Sequence, residues 1–248
     1  MTEPNGSPAP RWIGALILSL GLILGGWLGG RGIARVRAED RYVTVKGVSE
    51  RPVRADLAIW PLTIVVADND LGRAQAQVAG NVRKIREFLG RHGLDTAQTS
   101  LQNFQVTDAY ANQYRPAGEV VSRYVVKQTL MVRSDKPDAV QAASQRLSEL
   151  VDAGVVFSSG GEYDASGPSF LFTKLNELKP TMIAEATSRA REAAEQFARD
   201  SKSRLAGIRR ANQGVFEILP RDQASGIRQE SQVEKTLRVV ATVEYLLD

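Results

Sequence analysis

The chain has 248 residues, of which 43% are hydrophobic and 24% are charged, a composition that supports a folded core. It contains no cysteine and one histidine, which excludes disulfides, thiolate nucleophiles and most transition-metal sites. The net charge is +4, but residues 1–38 hold four arginines against one glutamate, so residues 39–248 carry only +1. A folded part so close to neutral argues against nucleic acid as a partner.

Residues 1–11 are predicted to form a flexible polar leader, and residues 12–30 carry no charge and are rich in leucine and isoleucine. As a helix, the uncharged segment would span about 28 Å, enough to cross the hydrocarbon core of a bilayer. Trp12 and Trp27 lie near its ends, where aromatic residues favour the membrane interface. We therefore predict one transmembrane signal-anchor helix at residues 12–30, followed by a linker at residues 31–40.

A cleavable signal peptide is the alternative to a permanent anchor. The long apolar segment and the arginines around Val36 and Ala38, a poor cleavage site, favour the anchor. Charge alone leaves its orientation open. Three arginines follow the segment and one precedes it, which favours a cytoplasmic domain, whereas a single N-terminal signal-anchor commonly delivers the domain behind it outside.

From residue 41 onward, apolar residues either alternate with polar ones or recur every three to four positions. In the first half of this region we predict two strands in residues 41–66, with a turn near Glu50-Arg51-Pro52. A helix over residues 68–89 follows, with Asp68 as its N-cap. A hairpin over residues 100–133 and a helix over residues 135–151 complete this half.

In the second half, a broken strand over residues 155–172 precedes a long helix over residues 180–204, with Pro180 in its first turn. The residues predicted on the buried face of that helix are Met182, Ala186, Ala190, Ala193 and Phe197. A strand over residues 208–219 with a kink near Gly214 comes next, then a polar loop over residues 220–234 and a closing strand over residues 236–247 with the clearest alternation in the chain.

The order strand–helix–strand–strand therefore occurs twice in loose form. Such an order is typical of an α+β fold, in which an antiparallel-rich sheet carries its helices on one side. We predict one such domain over residues 41–248, preceded by the transmembrane helix.

No catalytic constellation emerges from the sequence. His92 lies in a helix-end turn, which indicates a solvated or capping role. Asp68 and Asp70 are typical of a helix start, where carboxylates favour the helix dipole. The Gly160-Gly161 pair lacks the lysine of a phosphate-binding loop, and the carboxylates at residues 162–164 lie in a flexible-looking loop. We therefore predict no catalytic, cofactor-binding or metal-binding residue, no cofactor, and a protein that is not an enzyme.

Several short motifs, in the right order, resemble those of the SIMPL-domain family, long described as a domain of unknown function. They are Val45-Lys46-Gly47-Val48-Ser49-Glu50, Asp56 with Ala58, Asn81 followed by Gly93-Leu94 and Thr99-Ser100, the alanine-rich helix around Ala186, Ala190 and Ala193-Ala194 with Leu205-Ala206-Gly207 after it, and Val243-Glu244-Tyr245-Leu246. The resemblance covers residues 41–248. Ser49 stands where the family has a second glycine, which bears on the turn of the first strand and not on the fold.

The resemblance implies a bacterial envelope protein, anchored in the inner membrane by residues 12–30, with its C-terminal domain in the periplasm. Members of the family are linked to oxidative-stress tolerance, and some assemble into large rings. We expect a homo-oligomer that acts as an envelope scaffold or ring. The alternative is a monomeric binding module for an unidentified lipid, glycan or peptide, with its site in residues 158–169 or 220–234.

Overall fold

A computed structural model describes residues 19–27, 41–111, 122–158 and 167–248 of the chain. Residues 19–27 form helix α1, so most of the predicted transmembrane segment at residues 12–30 and the flanking leader and linker lie outside the described ranges. Among the described residues, no helix is both long enough and apolar enough to cross a membrane.

Strands and helices alternate along the remaining described residues. In chain order they are β1 (Tyr42–Arg54), β2 (Leu57–Asp68), α2 (Leu71–Arg91), β3 (Thr99–Asp108), β4 (Tyr124–Ser134), α3 (Pro137–Ser144), α4 (Ser148–Asp152), β5 (Ser169–Leu171), α5 (Leu175–Asp200), β6 (Leu205–Gln213), β7 (Glu217–Pro220) and β8 (Glu234–Leu247). Two short 3-10 turns lie at Thr96–Gln98 and Gln229–Ser231.

The strands form two four-stranded sheets. One has the order β1-β8-β6, with β7 also paired to β8, and the other has the order β3-β4-β2-β5. The β2–β4, β3–β4 and β6–β8 pairs are antiparallel. The predicted α+β class with antiparallel strands is therefore confirmed, and the strands form two sheets where one was predicted.

The chain divides into two compact units, and several elements contribute residues to both. Unit 1 comprises Met1–Val48, Ile183–Val215 and Val240–Asp248, and unit 2 comprises Ser49–Met182 and Phe216–Val239.

Unit 2 is built on the inner faces of β2 and β4, which α2 covers. Alternate residues of the two strands point toward the helix because successive side chains of a strand face opposite ways. The most deeply buried members of this core are Trp60, Leu62, Ile64, Ile85, Phe88, Leu89, Val126, Leu130 and Val132. Burial of this apolar surface is the main source of the unit's stability.

Unit 1 has a smaller core, in which α5 lies against β1 with very little space between them. Ala190 and Ala194 of the helix pack with Val43 of β1 and with Val243 and Tyr245 of β8. At Gly47 the strand has no side chain, and a Cβ added there would overlap the main chain of Ala186 and Ala190. The alanines and the glycine therefore permit a close approach that larger residues would prevent.

The structure corrects the predicted start and buried face of the long helix. α5 begins at Leu175, and Pro180 lies inside it rather than in the first turn. A proline at the sixth helical residue removes the hydrogen bond to the Asn176 carbonyl and crowds that carbonyl, so it weakens the beginning of the helix. Ala193 is exposed and Phe197 is half-exposed, because the buried row follows steps of four. That row consists of Met182, Ala186, Ala190, Ala194 and Ala198.

Two other helix predictions are also corrected. α2 begins at Leu71, and its N-cap is Asp70, whose side chain accepts a hydrogen bond from the Arg73 N–H at 2.8 Å. Asp68 instead ends β2. The single helix predicted over residues 135–151 is two short helices, α3 and α4, separated at residues 145–147.

The turn predicted near Glu50-Arg51-Pro52 is wrong, because β1 continues through these residues to Arg54. β1 is an outer strand of its sheet, where a proline costs no ladder hydrogen bond on its free side. By contrast, the predicted kink at Gly214 is confirmed. β6 ends at Gln213, and the Gly214 N–H donates to the Val240 carbonyl at 2.8 Å.

We predict that Gly47→Ala destabilises the protein by at least about 2 kcal/mol, since the new methyl group has no room against the main chain of α5. Gly207→Ala is the matched control in the same unit, because nothing lies within 4 Å of a Cβ added there. Urea unfolding of residues 39–248 followed by circular dichroism gives both values. Equal effects of the two substitutions would contradict the close approach.

Candidate functional site

The described part of unit 2 contains an apolar groove between one flank of α2 and the outer strand β3. Its volume is about 720 Å³. The groove is lined by Gln75, Ala76, Val78, Ala79, Val82, Arg83 and Arg86 of α2, Leu101 and Phe104 of β3, and Gln128 of β4. We call it the α2–β3 groove.

The groove exists because α2 covers only the inner strands of the sheet. α2 packs on β2 and β4, and residues 100–107 of β3 are all exposed. Leu101 and Phe104 consequently keep 52% and 53% of their surface exposed to solvent. Large apolar side chains that stay exposed next to each other make this face a candidate binding surface.

A β-bulge in β3 decides which side chains reach the groove. Gln102 pairs with Thr129 and Gln105 pairs with Lys127, so two residues of β3 lie opposite Gln128 alone. Asn103 has a φ of 51°, a left-handed conformation that non-glycine residues rarely adopt. If the strand alternated regularly through these residues, Phe104, three positions after Leu101, would lie on the opposite face.

Gln128 holds the bulge from the neighbouring strand. Its side chain is buried, and its Nε2 donates to the Gln102 carbonyl at 2.7 Å. A buried amide that is hydrogen-bonded to the main chain fixes the geometry around it. The bulge is therefore built into the strand, and the position of Phe104 in the groove follows from it.

The helix wall of the groove carries two basic residues. Arg83 and Arg86 lie three positions apart, which makes them neighbours on the helix surface. Within the described residues, neither forms an ion pair, whereas Arg73 at the start of the same helix pairs with Asp68 at 2.7 Å. The groove thus combines an apolar floor with two guanidinium groups that have no carboxylate partner in the described ranges.

The start of α2 is fixed by Asp68. Its carboxylate accepts hydrogen bonds from the Arg73 guanidinium, from the Asp70 N–H and from Gln77. Hydrogen bonds from Arg73 and Asp70 lower the pKa of the Asp68 carboxyl to about 2. This ionic cluster sets the position of the helix that forms one wall of the groove.

A second, polar pocket of about 250 Å³ lies where the loop at residues 220–234 meets β1. Its charges are already paired. Arg54 pairs with Asp138 at 2.5 Å and with Glu234 at 3.2 Å, and Arg221 pairs with Glu234 at 2.6 Å. A ligand here would have to compete with these pairs, or bind through a polar group such as the side chain of Gln141, because that of Gln232 already bonds the main chain of Asp222.

Lys235 is a buried cation beside this loop, and the sequence analysis missed it. Its residue surface is 1% exposed, and its Nζ donates to the Gln229 carbonyl. Burial lowers the pKa of Lys235, and the charge of Glu230 opposes that shift. The sequence does indicate that Lys235 is buried, because the alternation of β8 extends back from Leu237 to Lys235. The hydrogen bond from Lys235 to Gln229 fixes the 3-10 turn at Gln229–Ser231, so we assign Lys235 a structural role.

The residues singled out in the sequence do not come together in one place. His92 is the C-cap residue of α2, and its ring packs edge-on against Phe88 with centroids 4.4 Å apart. Its Nε2 lies 3.7 Å from a carboxylate oxygen of Glu149, beyond hydrogen-bond distance. The Gly160-Gly161 pair and the carboxylates at residues 162–164 lie outside the described ranges, as does most of the loop at residues 158–169.

Asp56, one of the motif residues, has a clear structural partner. Its two carboxylate oxygens accept hydrogen bonds from the N–H and the hydroxyl of Thr173, each at 2.6 Å. Burial acts to raise the pKa of Asp56, but the Thr173 hydrogen bonds outweigh it and the pKa is lowered. The motif aspartate therefore ties the end of β1 to the segment that leads into α5.

Residues 43–245 match the model of the SIMPL family, described as a protein of unknown function (DUF541). The match covers most of the chain and confirms the resemblance drawn from its motifs. No curated protein sequence matches the chain.

We predict that Asp68→Asn destabilises the fold at neutral pH and that the difference disappears in acid. Because the folded-state pKa of about 2 lies below the ordinary value of 3.8, the stabilisation is fully present above about pH 4 and is lost as the pH falls toward 2. Urea unfolding of residues 39–248 at several pH values measures the difference. Asp152→Asn is the control, since the Asp152 side chain has no partner among the described residues, and a difference as large at pH 2 as at pH 7 would contradict this assignment.

Proposed function

Since the chain belongs to the SIMPL family, whose function is unknown, we propose from its geometry a non-enzymatic envelope protein that acts by self-association, as a scaffold or ring. In this proposal residues 12–30 anchor it in the inner membrane, and the folded part lies in the periplasm. A contribution to oxidative-stress tolerance belongs to the same proposal. The apolar segment and the motif resemblance support the location, and the surface described below supports the self-association.

One observation carries the proposal, namely that each sheet ends in an outer strand that the rest of the described chain leaves uncovered. In β3, residues 100–107 are exposed, and in β6, residues 207–213 are exposed. An outer strand presents unpaired N–H and carbonyl groups on its free side, which pair readily with a strand of another chain.

The charges of the two strands favour pairing of β6 in one copy with β3 in the next. β6 carries Arg209 and Arg210 and no acidic residue, whereas β3 has no basic residue. Pairing two copies of β6 with each other would bring four arginines together, which opposes association. A contact between two different surfaces generates a ring when its rotation closes, as the ring hypothesis requires.

Bulges limit how far such pairing can go. The register of β3 shifts between Gln102 and Gln105, and that of β6 shifts between Leu205 and Arg210. Bulges in outer strands protect proteins against indefinite edge-to-edge growth. The two strands are thus suited to a short, specific contact rather than to aggregation.

A monomeric binding module is the second candidate, and the polar pocket at residues 220–234 favours it. The pocket provides arginines, carboxylates and amides, which suit a glycan or a peptide better than a lipid. If this candidate is right, Gln141→Ala lowers ligand binding while the native mass stays that of a monomer.

The self-association proposal predicts a discrete multimer for residues 39–248 when the native mass is measured by light scattering on a sizing column. Ile208→Asp in β6 and Val106→Asp in β3 each remove an exposed apolar side chain, 57% and 40% exposed, from one of the two surfaces. Each variant alone is expected to be a monomer. Mixing the two is expected to give dimers and nothing larger, because one intact copy of each surface remains.

Phe197→Asp is the control, since this half-exposed side chain lies on α5 and in neither outer strand. It is expected to leave the multimer intact. A monomeric wild-type protein at high concentration would contradict self-association. A single variant that still forms dimers would show that like surfaces pair with each other.

A further inference from the structure

The α2–β3 groove has the size and lining of a small-molecule site. Its volume of about 720 Å³ lies in the range of ligand pockets, which are mostly apolar with a few placed polar groups. The floor and walls include Val78, Val82, Leu101 and Phe104. The lining residues of α2 run from Gln75 to Arg86, a distance of about 16 Å along the helix. The α2 wall of the groove thus offers a linear apolar chain a row of contacts along the helix.

Its basic residues lie toward one end of that length. Arg83 and Arg86 are on the C-terminal part of the lining segment, and the uncharged Gln75 is at the other end. Guanidinium groups bind carboxylates through paired hydrogen bonds, and this geometry is stronger next to apolar surface than in open water. Neither arginine has an acidic partner within the described residues, so the charge of the groove is left for a ligand to balance.

We propose that the α2–β3 groove binds a free fatty acid, with its single acyl chain along Val78, Val82, Leu101 and Phe104 and its carboxylate on Arg83 and Arg86. The site is independent of strand pairing at the outer edges, because it uses the side-chain face of β3 rather than its main-chain edge.

The bulge in β3 shapes the wall of the groove for an acyl chain. It places Asn103 and Phe104 opposite Gln128 alone, with Asn103 in a left-handed conformation. Phe104 consequently lies in the groove beside Leu101, which enlarges the apolar wall.

The test uses the full-length chain in nanodiscs of uncharged phospholipid and a hexadecanoic acid that bears a photoactivatable diazirine near its chain end. After irradiation, peptide mass spectrometry locates the adducts. The expected result is saturable labelling of peptides that contain residues 75–86 and 99–106. Unlabelled hexadecanoic acid should compete with the probe, and hexadecanol, which lacks the carboxylate, should compete at least about tenfold less well.

Two variants identify the groups responsible. The double variant Arg83→Gln with Arg86→Gln removes both charges, and the variant Phe104→Ala removes the aromatic wall. Each of these two variants is expected to lower labelling about tenfold or more. All three side chains are exposed, so the fold should persist, which circular dichroism checks. The matched control is Lys127→Gln with Arg133→Gln, which removes two exposed charges from β4 and should leave labelling unchanged.

Three outcomes would overturn the proposal. Labelling that the double arginine variant does not reduce would show that the groove recognises no carboxylate. Equal competition by hexadecanol would show the same. In the third outcome the groove is not labelled and the double arginine variant changes the native mass of the full-length protein. The groove would then be a contact with a second copy of the chain.

Discussion

A single helix is wide enough to cover about two strands of a sheet, and the exposed surfaces of both units follow from this. Helices are about 10 Å across, whereas neighbouring strands lie about 4.8 Å apart. In unit 2, α2 lies on β4 and β2, so β3 remains outside its cover. In unit 1, the alanine face of α5 packs on β1 and β8, and β6 is exposed from Gly207 onward.

Each uncovered strand offers two different surfaces. The free main-chain edge of β3 or β6 can pair with another strand, whereas the side chains of β3 next to α2 line a groove that a small apolar molecule fits. The bulge at Asn103 affects both, since it interrupts the edge and turns Phe104 toward the helix. One local irregularity thus makes uncontrolled pairing harder and builds the apolar wall. Asn103 adopts a disfavoured backbone conformation there, and the hydrogen bond from Gln128 helps to hold it.

Much of the fold could be predicted from the sequence because its signals are periodic. The buried face of β8 follows the predicted alternation from Leu237 to Tyr245, and the buried face of α2 follows the predicted helical spacing from Val78 to Leu89. The errors arise where periodicity allows two answers. Ala193 and Ala194 are both small and adjacent, so only the geometry of the contact with β1 decides which of them is buried.

The candidate site could not be predicted in the same way. Whether a strand is central or outer depends on strand order, which pairwise contacts set and no local pattern encodes. Leu101 and Phe104 are an odd number of residues apart, so alternation assigns them to opposite faces, and only the bulge reunites them. In the sequence, Arg83 and Arg86 look like ordinary solvated charges on a helix. Only the structure shows that neither has a carboxylate partner in the described ranges.

Amide hydrogen exchange of residues 39–248, compared between dilute and concentrated protein, tests most directly whether the uncovered strands mediate self-association. The account predicts that exchange slows on concentration in residues 99–108 and 205–213, while the exposed loop at residues 221–228 exchanges equally fast in both samples. Identical exchange in the two strands at both concentrations would contradict it.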